Sequence, residues 1–113
     1  MVERLRKPWE FRRVYGQGRC YVGKCTKLYV ISGPRNITKV GFSVGKRVGN
    51  AVERNRIRRL MKEAYRDLAG QVRGGAEVVF VGRRAALDAG FWGVRECMDD
   101  LLKRSGLIRG ERS

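Results

Sequence analysis

The sequence predicts a single α+β domain with elements in the order α-β-β-α-β-α and a mostly antiparallel sheet packed with helices. Three observations carry this. Ile57, Leu60, Met61, Ala64, Tyr65 and Leu68 repeat at helical spacing, which puts one apolar stripe along one side of a helix. Three short runs, centred on Leu28-Tyr29-Val30-Ile31, on Val40-x-Phe42-x-Val44 and on Val78-Val79-Phe80-Val81, read as strands. The chain has 113 residues, 42% of them hydrophobic, which suits one domain with a modest core and is too apolar for a disordered basic tail.

Residues 1–7 form a short basic lead expected to be flexible. Pro8 is placed as the first residue of a helix, Trp9, Phe11, Val14 and Tyr15 give it an apolar side, and Gly16 and Gly18 end it. Residues 20–32 read as a strand, Gly33-Pro34-Arg35-Asn36 as a turn, and 37–44 as a partner strand, so a hairpin is expected. In the second strand Val40, Phe42 and Val44 share one face and Lys39, Gly41 and Ser43 the other, while Tyr29 has the opposite parity to Leu28 and Val30. The main helix is expected over 51–69, with Asn50 as N-cap, Glu53 completing a capping box and Gly70 just past its end. A loop over 71–76 leads to a strand over 77–82, apolar enough to be covered on both faces. The last helix is expected over 89–104, with Asp88 as N-cap, Phe91, Val94, Met98, Leu101 and Leu102 as its stripe, and Gly90 and Gly93 weakening its start. The tail over 106–113 is expected to be flexible, and the whole of 1–113 to be one domain.

Charge narrows the function. Lys and Arg number 26 against 11 Asp and Glu, a net charge of +15, and such a field favours nucleic acid or an acidic membrane surface. No apolar run approaches the roughly 18 residues of a membrane span, and the basic start has no apolar core of a signal peptide, so neither a membrane nor secretion is expected. Cys20, Cys25 and Cys97 are odd in number, lack a C-x-x-C pair and have no His to accompany them, which reads as free thiols in a reducing cytoplasm and no zinc site.

The cations concentrate on the main helix. Winding it at about 100° per residue puts Asn55, Arg58, Arg59, Lys62 and Arg66 away from the apolar stripe, with Arg54 and Arg56 flanking that ridge. A solvated face usually mixes signs, whereas residues 46–66 set eight Lys and Arg against Glu53 and Glu63. Like charges a turn apart cost a few tenths of a kcal/mol each in an isolated helix. A polyanion would offset that repulsion, because Arg forks match phosphate oxygens and a helix N-terminus adds its dipole.

The run Arg54-Asn55-Arg56-x-Arg58-Arg59, preceded by Lys46-Arg47-x-Gly49-Asn50-Ala51, resembles the signature of the protein subunit of bacterial ribonuclease P. Glu10-Phe11-x-x-Val14-Tyr15-x-x-Gly18, Val40-Gly41-x-Ser43-Val44 and the downstream strand and basic helix agree with it, so the resemblance covers about residues 5–104. Arg58 stands where that family more often has Lys, and Lys62 where it more often has Arg; both keep the charge but alter the geometry offered to a phosphate.

The resemblance implies that Lys46, Arg47, Arg54, Asn55, Arg56, Arg58, Arg59, Lys62 and Arg66 grip the catalytic ribonuclease P RNA. It also implies that Phe11, Tyr15 and Tyr29 line a cleft for the single-stranded 5′ leader of precursor tRNA; from the residues alone, Phe11 and Tyr15 read rather as core packing and Tyr29 as a satisfied core or edge tyrosine. A left-handed crossover in the β-α-β unit is implied too, against the right-handed form found in about 98% of such units. The resemblance further implies Mg²⁺ required by the RNA subunit, a cytoplasmic setting and no small-molecule substrate.

No nuclease chemistry is legible in the chain itself. It has no His for acid and base work, its acids are dispersed, and the adjacent Asp99-Asp100 do not face one another on a helix. No P-loop or G-x-G-x-x-G is present. The expectation is a non-catalytic protein partner of an RNA enzyme. Two other readings, a ribosomal kind of RNA-binding protein and a small DNA-binding module, account for the charge but not for the spacing of the signature.

Overall fold

A computed structural model describes residues 2–109, and in it the strand over 76–82 is the one the rest is built around. Nine further elements surround it: β1 (Glu3–Arg4), α1 (Pro8–Gln17), β2 (Arg19–Val22), β3 (Thr26–Ser32), β4 (Thr38–Val44), a 3-10 turn (Lys46–Val48), α2 (Ala51–Leu68), a second 3-10 turn (Ala69–Gln71), and α3 (Ala85–Arg104), with β5 (Ala76–Gly82) lying between the last two. The sheet order is β1-β4-β5-β3-β2. β5 is parallel to β4 and antiparallel to β3; β1 runs parallel to β4, and β2 antiparallel to β3.

The α+β class is as expected, but the sheet is mixed rather than mostly antiparallel, and β3 and β4 form no hairpin. β5 enters between them. Val78, Val79 and Phe80 are fully buried, and a strand apolar on both faces is stable only with neighbours on both sides and cover above and below. The hairpin lies earlier, because the strand expected over 20–32 breaks at Gly23-Lys24-Cys25, where Gly23 N donates to Thr26 O at 2.9 Å.

α2 and α3 cover one face of the sheet, over a core that includes Leu28, Val40, Phe80, Ile57, Met61, Leu68, Met98 and Leu101. α1 covers part of the other face through Val14, with Leu5 and Val79 beneath it. α2 starts as expected: Glu53 N donates to Asn50 Oδ1 at 2.8 Å, and Asn50 N to Glu53 Oε1 at 3.0 Å. Gly70 does not close it, because the chain tightens into the 3-10 turn at Ala69–Gln71 instead. α3 begins at Ala85 rather than 89, and Asp88 is not its cap; Gly90, at φ 66° and ψ −170°, kinks it near its start.

Of the ends expected to be flexible, residues 1 and 110–113 lie outside the described residues; in the remainder Leu5, Leu107 and Ile108 are buried, while Arg6, Lys7 and Arg109 are exposed. Leu5 is buried, and its N–H donates to Val40 O at 2.9 Å. Gly106, at φ 85°, turns the chain past α3 so that Leu107 N and Ile108 N both reach Leu102 O, at 2.9 and 3.2 Å, and both side chains join the core. Two apolar residues just beyond a helix gain more by burial than the short tail loses in freedom.

Candidate nucleic-acid interface

The α2 side of the molecule gathers the cations. Burial of Ile57, Met61, Ala64, Tyr65 and Leu68 fixes the helix's rotation, and this turns Asn55, Arg56, Arg59 and Arg66 outward as exposed residues, with Arg58 and Lys62 half-buried beside them. Two of the three acids of α2 are used along its other flank, while the third, Glu63, is exposed among the outer cations, four residues after Arg59 and three before Arg66. Glu53 pairs with Arg84 at 3.1 Å, and Asp67 is bridged by Arg95, so both carboxylates turn toward α3. The Arg84 pair and then the Asn50 N–H hold the Glu53 carboxyl below its usual range.

Among the described residues, Lys46, Arg47, Arg56, Arg59 and Arg66 meet no carboxylate within 4.0 Å. Arg58 donates to the neutral Asn55 Oδ1 at 2.8 Å. Arg54 is engaged differently: its Nη1 donates to Gly49 O at 2.6 Å, tying the helix to the loop before it. Lys46 and Arg47 sit on the exposed 3-10 turn ahead of the helix N-terminus, so they extend the outward cations past its first turn.

The opposite face of the sheet carries the aromatics. Cys20, Tyr29, Val79 and Gly41 form one row across β2, β3, β5 and β4, and α1 lies across that row. Tyr15 packs edge-on against Tyr29, with ring centroids 5.1 Å apart and planes at 78°. Phe11 lies over Gly41, where a Cβ would come within 2.5 Å of its ring, so only glycine lets the helix sit this close. Structure thus brings Phe11, Tyr15 and Tyr29 to one surface, with Tyr15 37% exposed and the other two half-buried. Interaction with the Cys20 thiol, and then burial, raise the Tyr29 phenol above its usual range.

Sequence reasoning missed what holds and extends this surface. Glu77 is buried on β5 and pairs with Arg13, whose guanidinium also lies 5.3 Å from the centre of the Trp9 ring. At about 100° per residue, Arg13 is turned some 160° from Phe11 and Tyr15, so the pair anchors the far flank of α1 and leaves the aromatic flank open. The next row of the sheet, Val22, Lys27, Val81 and Ser43, remains exposed or half-buried beside that flank. Lys27 also lines, with Gly45, Val81 and Arg83, a pocket of about 320 Å³ at the carboxyl ends of β4 and β5. The signals for Lys27 and Arg83 were present as charges next to apolar strand residues, but a single Lys or Arg there has no spacing to mark it.

Among the described residues, no three Cys, Asp or Glu side chains come together as metal ligands, and no helix is long and apolar enough to cross a membrane. What the surface offers is a cationic ridge on one side of the sheet and an aromatic floor with isolated cations on the other.

The family model described as Ribonuclease P matches residues 2–106. The ribonuclease P protein component of Clostridium novyi is 40% identical over 107 residues, spanning 93% of this chain and 95% of that one. That of Clostridioides difficile is 36% identical over 104 residues, 91% of each. The structure of the RNase P protein from Thermotoga maritima superposes with a TM-score of 0.80 at 27% identity, covering 96% of this chain and 99% of that one.

Proposed function

This chain belongs to the ribonuclease P protein family, and from that premise we propose that it is the protein subunit of a ribonucleoprotein endoribonuclease that removes the 5′ leader of precursor tRNA. The observation that carries the proposal is the outer face of α2, where Arg56, Arg59, Lys62 and Arg66 surround the single acid Glu63 and none of them is in an ion pair among the described residues, set beside an α3 whose Arg95, Lys103 and Arg104 are all paired. In this reading Lys46, Arg47, Asn55, Arg56, Arg58, Arg59, Lys62 and Arg66 grip the phosphates of the RNA subunit, and Arg54 contributes chiefly by holding the loop before α2. Phe11, Tyr15 and Tyr29 receive the leader on the other side of the sheet, where stacking is worth about 1–3 kcal/mol per base and tolerates any base. That tolerance suits a leader of variable sequence.

The RNA subunit is the proposed catalyst, hydrolysing the phosphodiester between leader and tRNA with Mg²⁺ that it holds itself. The protein's share is electrostatic and positional. Two polyanions approach one another only through a screen of cations, and fixed Lys and Arg replace part of the counterions that free Mg²⁺ would otherwise supply. The proposed partners are ribonuclease P RNA and precursor tRNA, with neither a membrane nor a small-molecule substrate, and the proposed setting is the cytoplasm.

The test is cleavage of precursor tRNA by a bacterial ribonuclease P RNA at low Mg²⁺, with the protein, without it, and with protein alone. Correctly placed cleavage only when both are present is the expected result. Unchanged RNA activity despite tight binding would replace this proposal with a structural RNA-binding role. For the leader surface, Phe11→Ala should weaken binding of precursor tRNA more than that of mature tRNA, and equal losses on both would return Phe11 to the core.

A further inference from the structure

We propose that Arg4, on the edge strand β1, joins Arg58 and Lys62 of α2 in a three-cation seat for one backbone phosphate of the RNA that α2 grips. This rests on the reading of α2 as an RNA-binding face and adds a residue from an element that the signature run does not include.

The geometry begins with main-chain pairing. Arg4 is in register with Val40 of β4, and Val40 is buried in the core beneath α2, so Arg4 emerges on the α2 side of the sheet while Glu3 emerges on the other. Its guanidinium carbon lies 5.9 Å from the centre of the Phe42 ring, and Phe42 meets Tyr65 of α2 edge-on, with centroids 5.9 Å apart. Lys62 is three residues before Tyr65 and Arg58 four before Lys62, so both stand on the same flank of α2, turned toward β1. Three cations therefore converge where the sheet's edge meets the helix.

No carboxylate among the described residues lies within 4.0 Å of their charged nitrogens. Arg4, Arg58 and Lys62 take part in no ion pair among the described residues, and Arg58 has only the neutral Asn55 as a side-chain partner. Burial, then the charges of Arg4 and Arg58, push the Lys62 ammonium below its usual range, which reports the same crowding. An unpaired cluster of this kind is uphill until an anion enters it. The Phe42 ring also limits where the Arg4 guanidinium can go, so less side-chain freedom is lost when a phosphate arrives. The seat is continuous with Arg59 and Arg66, and at about 1.5 Å per residue the stretch from 55 to 66 reaches about 17 Å, enough for several successive phosphates.

The experiment is equilibrium binding of the full chain to ribonuclease P RNA over a series of KCl concentrations. Arg4→Gln should weaken binding by about tenfold and make the salt slope shallower by about one ion. Arg4→Lys should keep the slope, and Arg19→Gln, which removes one charge at the opposite edge of the sheet, should behave as wild type. Equal effects of Arg4→Gln and Arg19→Gln would overturn the proposal, since only the overall field would then be at work. An unchanged slope for Arg4→Gln alongside a loss for Arg59→Gln would overturn the seat alone. An unchanged slope for both would remove α2 from the interface and the seat with it. Should Arg4→Gln lower the melting temperature, a double-mutant cycle of Arg4→Gln and Lys62→Gln titrated well below that temperature decides: the two effects must be less than additive if both side chains touch one phosphate, and full additivity rejects the seat.

Discussion

α2 and α3 lie side by side on one face of the sheet, each with a buried apolar stripe, yet they dispose of their charges in opposite ways. In α3, Lys103 pairs with Asp99 at 3.1 Å and Arg104 with Asp100 at 3.0 Å, both one turn apart, and Arg95 reaches across to Asp67. In α2, the acids Glu53 and Asp67 are turned toward α3, which leaves the outer face to cations around one acid, Glu63, that is in no ion pair among the described residues. Pairing one turn apart is the ordinary way for a helix to support itself on its surface. A helix that forgoes it, next to one that uses it, has a surface shaped for something other than its own stability.

The largest effect should come from emptying that surface. Replacing Arg56, Arg59 and Arg66 together by Gln should lower affinity for ribonuclease P RNA by on the order of 100-fold near physiological salt and make the salt slope shallower by about three ions. Melting temperature should hold or rise, because like charges are removed. A normal slope would mean that the outer face of α2 is solvated and that the contrast with α3 has no functional content.

A sharper test makes α2 resemble α3. Asn55→Glu places an acid four residues before Arg59, the favourable order for a pair worth about 0.2–0.5 kcal/mol in an isolated helix. The helix should become slightly more stable and RNA binding about tenfold weaker, as measured by thermal melts and binding titrations of the same sample. Opposite signs for the two quantities are the signature of a surface reserved for a partner.

How much of this could be read from the chain depends on how local each cause is. The Asn50–Glu53 cap and the stripe from Ile57 to Leu68 lie within one helix and were legible, as was the weak start of α3 at Gly90. The insertion of β5 between β3 and β4 was not, because pairing partners are chosen among distant segments and a covered strand fits equally well at several places in a sheet. Arg4 was invisible for a similar reason: two residues held by main-chain bonds to β4 have no periodicity. Phe11 over Gly41 required knowing that α1 crosses β4 at its one residue without a Cβ. The ridge cations were legible by spacing, whereas Lys27 and Arg83 come together only when three strands and a loop are assembled.

The cap of α2 should matter less than its outer face for binding and more for stability. Asn50→Ala should cost about 1 kcal/mol, or about 4–8 °C in melting temperature for a domain of this size. Acid should reveal the same cap. The folded state holds the Glu53 carboxyl below its ordinary value of 4.5, so its contribution is present above that pH and fades as pH falls through the depressed value. The melting temperatures of Glu53→Gln and wild type should therefore differ at neutral pH and converge under acid; a gap that stays constant would separate Glu53 from both Asn50 and Arg84.

The smallest effect should come from α3, and it is what makes the others interpretable. Lys103→Gln breaks an exposed pair with Asp99, and such pairs are worth about 0.2–0.5 kcal/mol, so melting should fall by no more than about 3 °C. The substitution lowers the net charge by one, as any single Arg→Gln change on α2 does. If RNA affinity follows total charge, Lys103→Gln and Arg59→Gln will shift the salt slope equally. If it follows phosphates seated on α2, the slope will move by about one ion for Arg59→Gln and stay put for Lys103→Gln, since a cation already satisfied by Asp99 releases no counterion when RNA binds.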